Sequence, residues 1–106
     1  MIFIKEFDNI ITEDSFIISI RFNRQSKKFI LQQKLVINID KVYRLIINSV
    51  KKLNNHDINI DIKELKGKLQ GLYRIRKGDL RIIFRYYKGE IHIVNIEKID
   101  FRGDVY

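Results

Sequence analysis

The sequence predicts an α+β fold in which two helices cover one face of an antiparallel sheet. Apolar residues occupy alternate positions over residues 15–22, as in a half-buried strand. They recur every three or four residues from Ile39 to Leu53, as in an amphipathic helix. Two runs rich in β-branched and aromatic residues then flank Gly78-Asp79, as in a tight hairpin. This order is typical of an N-terminal strand and two helices followed by a three-strand antiparallel meander.

Length and charge limit what the chain can be. Its 106 residues suffice for one domain with a single core. The composition, 45% hydrophobic and 32% charged, is that of a globular protein. A formal net charge of +8 indicates an anionic partner. Charge alone leaves nucleic acid, an acidic protein and a membrane surface open.

Several classes of site and location are excluded by composition. The chain has no cysteine and only two histidines, far apart, so we expect no disulfide, no metal site and no cofactor. No apolar run approaches the roughly 18 residues that a membrane span needs. The N-terminus lacks the basic start and apolar core of a signal peptide. We therefore expect a cytoplasmic protein that does not enter a membrane.

The first residues are the least informative. Residues 1–14 form an extension for which the sequence allows a short strand around Ile2 and Ile4, turns, or a loose tail. Residues 15–106 are predicted to form a single domain. Asn23 is predicted to cap a short helix that runs to about Gln33, and Asn38 to cap the Ile39–Leu53 helix.

The central hairpin predicts a cluster of arginines. A two-residue loop at Gly78-Asp79 sets Arg76 opposite Arg81 and Tyr73 opposite Phe84. Because side chains alternate across a strand, four arginines then share one face, and the apolar residues share the other. The four are Arg74, Arg76, Arg81 and Arg85. Like charges placed opposite one another destabilise a sheet, so the arrangement favours an anionic ligand on this face.

A third strand is predicted over residues 90–96, after a turn at Lys88-Gly89. Pairing across that turn sets Arg85 opposite His92 and Arg81 opposite Ile96. His92 is therefore expected on the arginine face. The last segment would bring Arg102 and Tyr106 to the end of the sheet.

From residue 65 onward the chain carries a series of short motifs. They are a Leu-Lys-Gly loop, a Tyr-Arg-Ile-Arg strand, a Gly-Asp turn with an arginine two residues on, and a closing Arg-x-Asp-x-Tyr, at residues 65–67, 73–76, 78–81 and 102–106. In this order and spacing the chain resembles the RelE toxins of the RelE/ParE superfamily, the toxin halves of bacterial type II toxin–antitoxin pairs. The resemblance implies a RelE-like fold.

The resemblance also implies an activity, which is ribosome-dependent, metal-independent cleavage of messenger RNA by attack of a ribose 2′-hydroxyl on the adjacent phosphate. By motif position, Arg74 and Arg81 would clamp the phosphate, and Arg76 would help to activate the hydroxyl. Arg102 would protonate the leaving oxygen or stabilise its charge, and Tyr106 would stack on or orient the target nucleotide. The implied partners are the ribosome, messenger RNA and an acidic RelB-like antitoxin. We add a second group, expected to bind RNA: Lys66, Lys68 and Arg85.

Two departures from the family pattern keep alternatives open. Arg76 is a poor general base, because a guanidinium hardly deprotonates. Phe101 stands where many relatives carry a histidine, so a histidine acid–base pathway is absent there. The alternatives are a ParE-like toxin that inhibits gyrase without being an enzyme, and a degenerate relative that only binds RNA or its antitoxin.

Overall fold

Two helices pack against one face of a six-stranded sheet. The structure, a computed structural model, describes residues 7–67 and 71–101. In chain order its elements are β1 (Asn9–Glu13), β2 (Phe16–Phe22), α1 (Arg24–Gln32), α2 (Ile39–Leu53), β3 (Asp61–Leu65), β4 (Leu72–Lys77), β5 (Leu80–Tyr87) and β6 (Ile91–Phe101). None of the described helices is long and apolar enough to cross a membrane.

The sheet has the strand order β1-β2-β6-β5-β4-β3. The β2 and β6 strands run parallel, and every other neighbouring pair is antiparallel. The chain therefore leaves β2, forms both helices over the sheet, and returns through a meander to place β6 beside β2. This confirms the predicted α+β class, with β1 and β3 as additional edge strands.

The core lies between the helices and the covered face of the sheet. It contains the alternate side chains of β2, β5 and β6 and the apolar stripe of α2, with Ile18, Ile46 and Phe84 all fully buried. Both predicted helix starts are confirmed. The side-chain oxygen of Asn23 accepts from the Ser26 backbone N–H, and that of Asn38 accepts from the Lys41 N–H.

The predicted register of the β4–β5 hairpin is confirmed at every pair, including Arg76 opposite Arg81 and Tyr73 opposite Phe84. Tyr73 and Phe84 stack with their ring centroids 5.8 Å apart. The tight turn fixes this register locally, which is why the sequence alone was enough to predict it.

The predicted β5–β6 register is wrong. Arg85 lies opposite Asn95, not His92, and Arg81 lies opposite Asp100, not Ile96. Up to Ile96 the strand is shifted by three residues, which moves its side chains to the other face, so His92 is buried under the helices, 9% exposed. Its Nδ1 lies 2.8 Å from the Tyr86 hydroxyl, which accepts from the Asn54 side-chain amide. Burial of this hydrogen-bonded imidazole favours the observed register.

A β-bulge in β6 produces the final pairing with Asp100. Phe84 pairs with Ile96, whereas Ile83 pairs with Lys98, so Glu97 has no partner on β5. The Asn23 side-chain amide donates to the Glu97 carbonyl at 2.6 Å. The residue that caps α1 therefore also holds the bulge.

The β1 strand is anchored by ionic contacts that lie far apart in the sequence. Where the sequence suggested turns or a tail, Asn9–Glu13 pairs with β2 across a turn in which Asp14 has a φ of 56°. Lys51 of α2, only 8% exposed, binds both Glu13 and Asp14 at 2.6 Å. Arg44 donates to both carboxylate oxygens of Glu13, at 2.7 and 2.9 Å. These contacts join the first hairpin to α2.

Candidate functional site

The candidate site lies on the uncovered face of the sheet, where β3, β4, β5 and the end of β6 lie side by side. Because side chains alternate, the odd positions of β5 and the even positions of β4 point away from the helices. The structure brings four predicted residues together there, all partly exposed: Arg74, Arg76, Arg81 and Arg85. The four arginines therefore lie on one face of the sheet, as predicted.

Arg81 is held by a carboxylate that the sequence analysis did not identify. Its Nε donates to Asp100 Oδ1 at 2.9 Å, and its Nη2 donates to Asp100 Oδ2 at 2.7 Å. This bidentate geometry is the strongest that a guanidinium makes with a carboxylate. The hydrogen bonds from Arg81 lower the pKa of Asp100, and the same bonds raise the pKa of Arg81. Both groups therefore remain charged at neutral pH.

Arg74 has a weaker acidic partner. Its Nη2 lies 3.1 Å from Asp61 Oδ1 on the neighbouring strand. The Asp61 side chain is 60% exposed, so water competes for this contact and the pair is worth little in stability. An incoming phosphate could replace this carboxylate at small cost.

Two arginines of β4 each have a buried hydrogen-bond donor that no described acceptor satisfies. The Nε atoms of both Arg74 and Arg76 are shielded from solvent and have no hydrogen-bond acceptor among the described residues. A covered donor without an acceptor destabilises a fold by about 1–3 kcal/mol. Arg76 also lies opposite Arg81, so two guanidinium groups repel each other here. An anionic ligand would reduce the repulsion between these two groups.

Arg85 lies against the start of β4, at a position where glycine is required. Gly71 has a φ of +88°, in the left-handed region that residues with a Cβ rarely adopt. A Cβ at Gly71 would lie 3.4 Å from Arg85 Nη1. A side chain at Gly71 would therefore touch the Arg85 guanidinium at an ordinary van der Waals distance.

This half of the face carries more basic than acidic side chains. By strand register, the carboxylates on it are Asp61 and Asp100. The cationic residues are Lys63, Arg74, Arg76, Arg81, Arg85 and Lys98. The excess positive charge is suited to attract and bind phosphate groups.

The remaining predicted site residues fall in two groups. Lys66 is exposed and directly follows β3. Three predicted residues lie outside the described residues: Lys68, Arg102 and Tyr106. Among the residues that the structure describes, no group of three or more histidine, aspartate or glutamate side chains could hold a metal ion.

Asp61 and Asp100 were missed because each depends on pairing between strands. No feature of the sequence defined β3, and the predicted register of β6 was wrong. One signal for Asp100 is its position in the sequence, since it lies two residues before Arg102 in the last segment. A carboxylate so close to a predicted catalytic arginine favours an ion pair with one of the arginines of the site.

This chain is similar to several solved structures, among them proteins described as toxins. A conserved hypothetical protein from Helicobacter pylori matches with a TM-score of 0.60 and 15% identity, over 82% of this chain and 97% of that one. YafQ from Escherichia coli matches with a TM-score of 0.53 and 17% identity, over 82% and 96%. The toxin–antitoxin complex RelBE2 from Mycobacterium tuberculosis matches with a TM-score of 0.50 and 19% identity, over 80% and 91%.

The chain has a RelE-like toxin fold. The expectation from the sequence motifs is thereby confirmed for the architecture. A scan of protein-family models and a search of curated proteins found no match. At identities of 15–19% the structural likeness establishes the fold alone, so the function of this RelE-like chain depends on its own residues.

Proposed function

We propose that this chain is the toxin of a type II toxin–antitoxin system and cleaves messenger RNA on the ribosome. The observation that carries the proposal is the set of arginines on the uncovered face of a RelE-like sheet, two of which have covered Nε donors without acceptors. Arginine binds phosphate with two parallel hydrogen bonds and keeps its charge at any cellular pH. The substrate class that this face fits best is an RNA backbone.

The proposed reaction is attack of a ribose 2′-hydroxyl on the adjacent phosphate. The transition state is a phosphorane that carries more negative charge than the ground state, and fixed guanidinium groups stabilise that charge with little reorganisation. In this scheme Arg74 and Arg81 hold the non-bridging oxygens, and Arg76 lies beside them. Arg102 stabilises the leaving oxygen, and Tyr106 orients the nucleotide.

The described side chains on this half of the face are poor acceptors for the proton of the 2′-hydroxyl. Both carboxylates that lie on this half of the face, Asp61 and Asp100, are in ion pairs. The lowered pKa of Asp100 makes it a weak base. Arg76 is charged and cannot accept a proton. We therefore propose that the hydroxyl proton passes to a group of the ribosome.

A second candidate function is binding without cleavage. The observation that favours it is the bidentate pair between Arg81 and Asp100, because the Nε–Nη2 side of Arg81 is already occupied. A chain in which that pair persists would bind RNA or an acidic antitoxin through its other arginines and would not clamp the scissile phosphate.

Induced expression in a bacterium separates these functions. We expect wild type to stop translation and to leave messages cut within codons, as mapped by primer extension. Arg81→Ala should lower cleavage by about a hundredfold or more, the usual effect of removing one transition-state donor. Arg24→Ala, which removes an exposed arginine on α1, is the matched control and should behave as wild type.

The other outcomes identify the alternatives. Intact messages with DNA breaks and filamentous cells would contradict the nuclease and support gyrase inhibition. Intact messages with no effect on growth, but with RNA bound by the purified protein, would support the non-cleaving candidate. Rescue by an acidic protein encoded beside the gene would support the proposed antitoxin partner.

A further inference from the structure

The uncovered face of the sheet has a second half, which is apolar. It continues from the arginines across β5, β6, β2 and β1. Its large apolar side chains are 39–63% exposed and are Ile10, Ile17, Tyr87, Ile91 and Ile93. They are neighbours by register, since Ile17 pairs with Ile91 and Ile93 pairs with Tyr87. Exposed apolar groups in one patch mark a binding surface more often than single ones do.

A shallow hollow of about 410 Å³ lies where the apolar half meets the arginines. Its lining is Ser19, Arg21, Tyr87, Ile93 and Asn95. Arg21 and Asn95 are cross-strand partners, and Asn95 also pairs with Arg85. Tyr87 follows Arg85 by two residues and therefore lies on the same face, roughly 7 Å further along the strand. The hollow is thus directly continuous with the phosphate-binding side chains.

The lining groups match the chemistry of a nucleobase. The Tyr87 ring, half exposed, and Ile93 offer apolar surface on which a planar base can stack. The Asn95 amide can both donate and accept hydrogen bonds, and the Arg21 guanidinium can donate them. Among residues 7–67 and 71–101, neither side chain has a partner in a hydrogen bond or ion pair. Their polar groups are therefore available to the edge of a base.

We propose that this hollow is a subsite for one unpaired base of single-stranded RNA, stacked on Tyr87 and contacted at its edge by Asn95 and Arg21. The inference rests on the proposed function, because it assumes that an RNA backbone lies across the arginines. It extends that function by placing a base contact at the end of β5 opposite to Arg81. A chain running from Arg81 past Arg85 reaches Tyr87 next.

A nucleic acid explains this hollow better than a protein partner does. Tyr87 shares its face of the sheet with two arginines, Arg85 two residues earlier on its own strand and Arg21 across β6. An aromatic side chain on a basic face is the usual platform for stacking in proteins that bind single strands. The isoleucines further out border the subsite on the side away from the arginines.

Binding of a short fluorescent single-stranded RNA to the purified protein, measured by anisotropy at fixed low salt, tests the subsite. Tyr87→Leu keeps apolar bulk and removes the ring, and it should weaken binding roughly five- to a hundredfold, the range for one stacked base. Tyr87→Phe keeps the ring and should stay within about twofold of wild type. Leu35→Ala changes an exposed apolar side chain outside the sheet and is the matched control.

Two further measurements distinguish the loss of base stacking from the loss of a charged contact. With the same RNA carrying abasic positions, Tyr87→Leu and wild type should bind equally. The dependence of affinity on salt should be unchanged in Tyr87→Leu, because no phosphate contact is lost. Asn95→Ala is a second variant, and it should also weaken binding of the intact RNA. Thermal unfolding by circular dichroism verifies that each variant is folded.

Equal affinity of wild type, Tyr87→Leu and Asn95→Ala for the intact RNA would overturn the subsite. If Arg74→Ala then still lost affinity, the proposed function would stand without it. Loss of affinity for an acidic protein partner in Tyr87→Leu, with RNA affinity intact, would assign the hollow to protein docking and also overturn the proposal. The proposed nuclease fails separately, if messages stay intact in the expression experiment.

Discussion

Arg81 and Asp100 face each other across β5 and β6 and are joined by two hydrogen bonds, of 2.9 and 2.7 Å. The pair gives the arginine cluster a built-in competitor for phosphate. Whether RNA or Asp100 occupies the guanidinium depends on the difference between two interactions of the same type. Under the proposed function, Asp100 therefore competes with the RNA for the Arg81 guanidinium.

The first prediction concerns removal of that competitor. Asp100→Asn should raise the affinity of the purified protein for single-stranded RNA, because Arg81 becomes available to a phosphate. The slope of log affinity against log salt should steepen by about 0.7, the value for one added phosphate contact. The free energy of unfolding should fall by about 1 kcal/mol, since the pair is only partly buried. Anisotropy over a salt series and urea unfolding measure both effects.

Asp57→Asn is the control for the change in net charge, because Asp57 lies in the loop between α2 and β3 and is exposed. It should leave the salt slope at the wild-type value. If Asp100→Asn bound RNA no more tightly than this control, Arg81 would have no part in phosphate binding.

The second prediction concerns the buried histidine. Burial, with the nearby charge of Lys88, lowers the pKa of His92 below its ordinary value of 6.5. In that case the unfolded chain takes up a proton before the folded protein does, so stability is full above pH 6.5 and falls as the pH drops below it. Urea unfolding between pH 7.5 and 5 should show this loss.

His92→Gln should flatten the pH dependence in that range, at some cost in stability at neutral pH because the contact with Tyr86 is altered. A profile unchanged in His92→Gln would show that another group titrates.

The third prediction concerns the ionic contacts that hold β1. Hydrogen bonds from Arg44, and then from Lys51, lower the pKa of Glu13 to about 2 from its ordinary 4.5. The stability that these contacts contribute is present above pH 4.5 and is lost as the pH falls towards 2. Glu13→Gln should therefore destabilise the protein at pH 7 by about 1–2 kcal/mol, since Lys51 is largely buried and loses one of its two carboxylates.

The difference between Glu13→Gln and wild type should shrink between pH 4.5 and 2, because wild type also loses the charge there. Urea unfolding at these values measures it, and Glu90→Gln, on the exposed β5–β6 turn, is the control. A constant difference across that range would mean that packing, not charge, accounts for the effect.

The fourth prediction compares two glycines. Gly71 and Gly67 both have a positive φ, of 88° and 77°, so alanine at either should cost about 1 kcal/mol of unfolding free energy. Only at Gly71 would the new Cβ meet Arg85 Nη1, at 3.4 Å. Because 3.4 Å is an ordinary van der Waals distance, Gly71→Ala should leave Arg85 in place, and the two variants should bind RNA equally. A loss of RNA affinity in Gly71→Ala alone would mean that the Arg85 guanidinium moves and that it belongs to the binding surface.

Those parts of the structure that depend on neighbouring residues could be predicted from the sequence. The caps at Asn23 and Asn38 and the β4–β5 register are set within a few residues, and all three are confirmed. The β5–β6 register could not be predicted in this way. Its turn is longer, and its bulge is held by Asn23, which lies 74 residues from the carbonyl that it binds.

The same distinction between local and distant contacts holds for the candidate site. Alternation and a tight turn are local, so the shared face of the four arginines could be predicted. The carboxylates at Asp61 and Asp100, and the hollow beside Tyr87, each require strands from distant parts of the chain to be aligned. The strand β1 was missed for the same reason, because Lys51 anchors it from α2.

The unpaired Glu97 determines which side chains of the last strand reach Arg81. If Glu97 paired with Ile83 and the ladder continued without a bulge, Ile99 would lie opposite Arg81 and Asp100 would point into the core. The bulge therefore keeps a carboxylate in water and an isoleucine in the core. Deleting Glu97 itself would give a regular ladder that still pairs Asp100 with Arg81, whereas a single insertion or deletion between Lys98 and Asp100 would move the carboxylate to the other face. Between those two residues the strand should tolerate substitutions far better than a change in length by one residue.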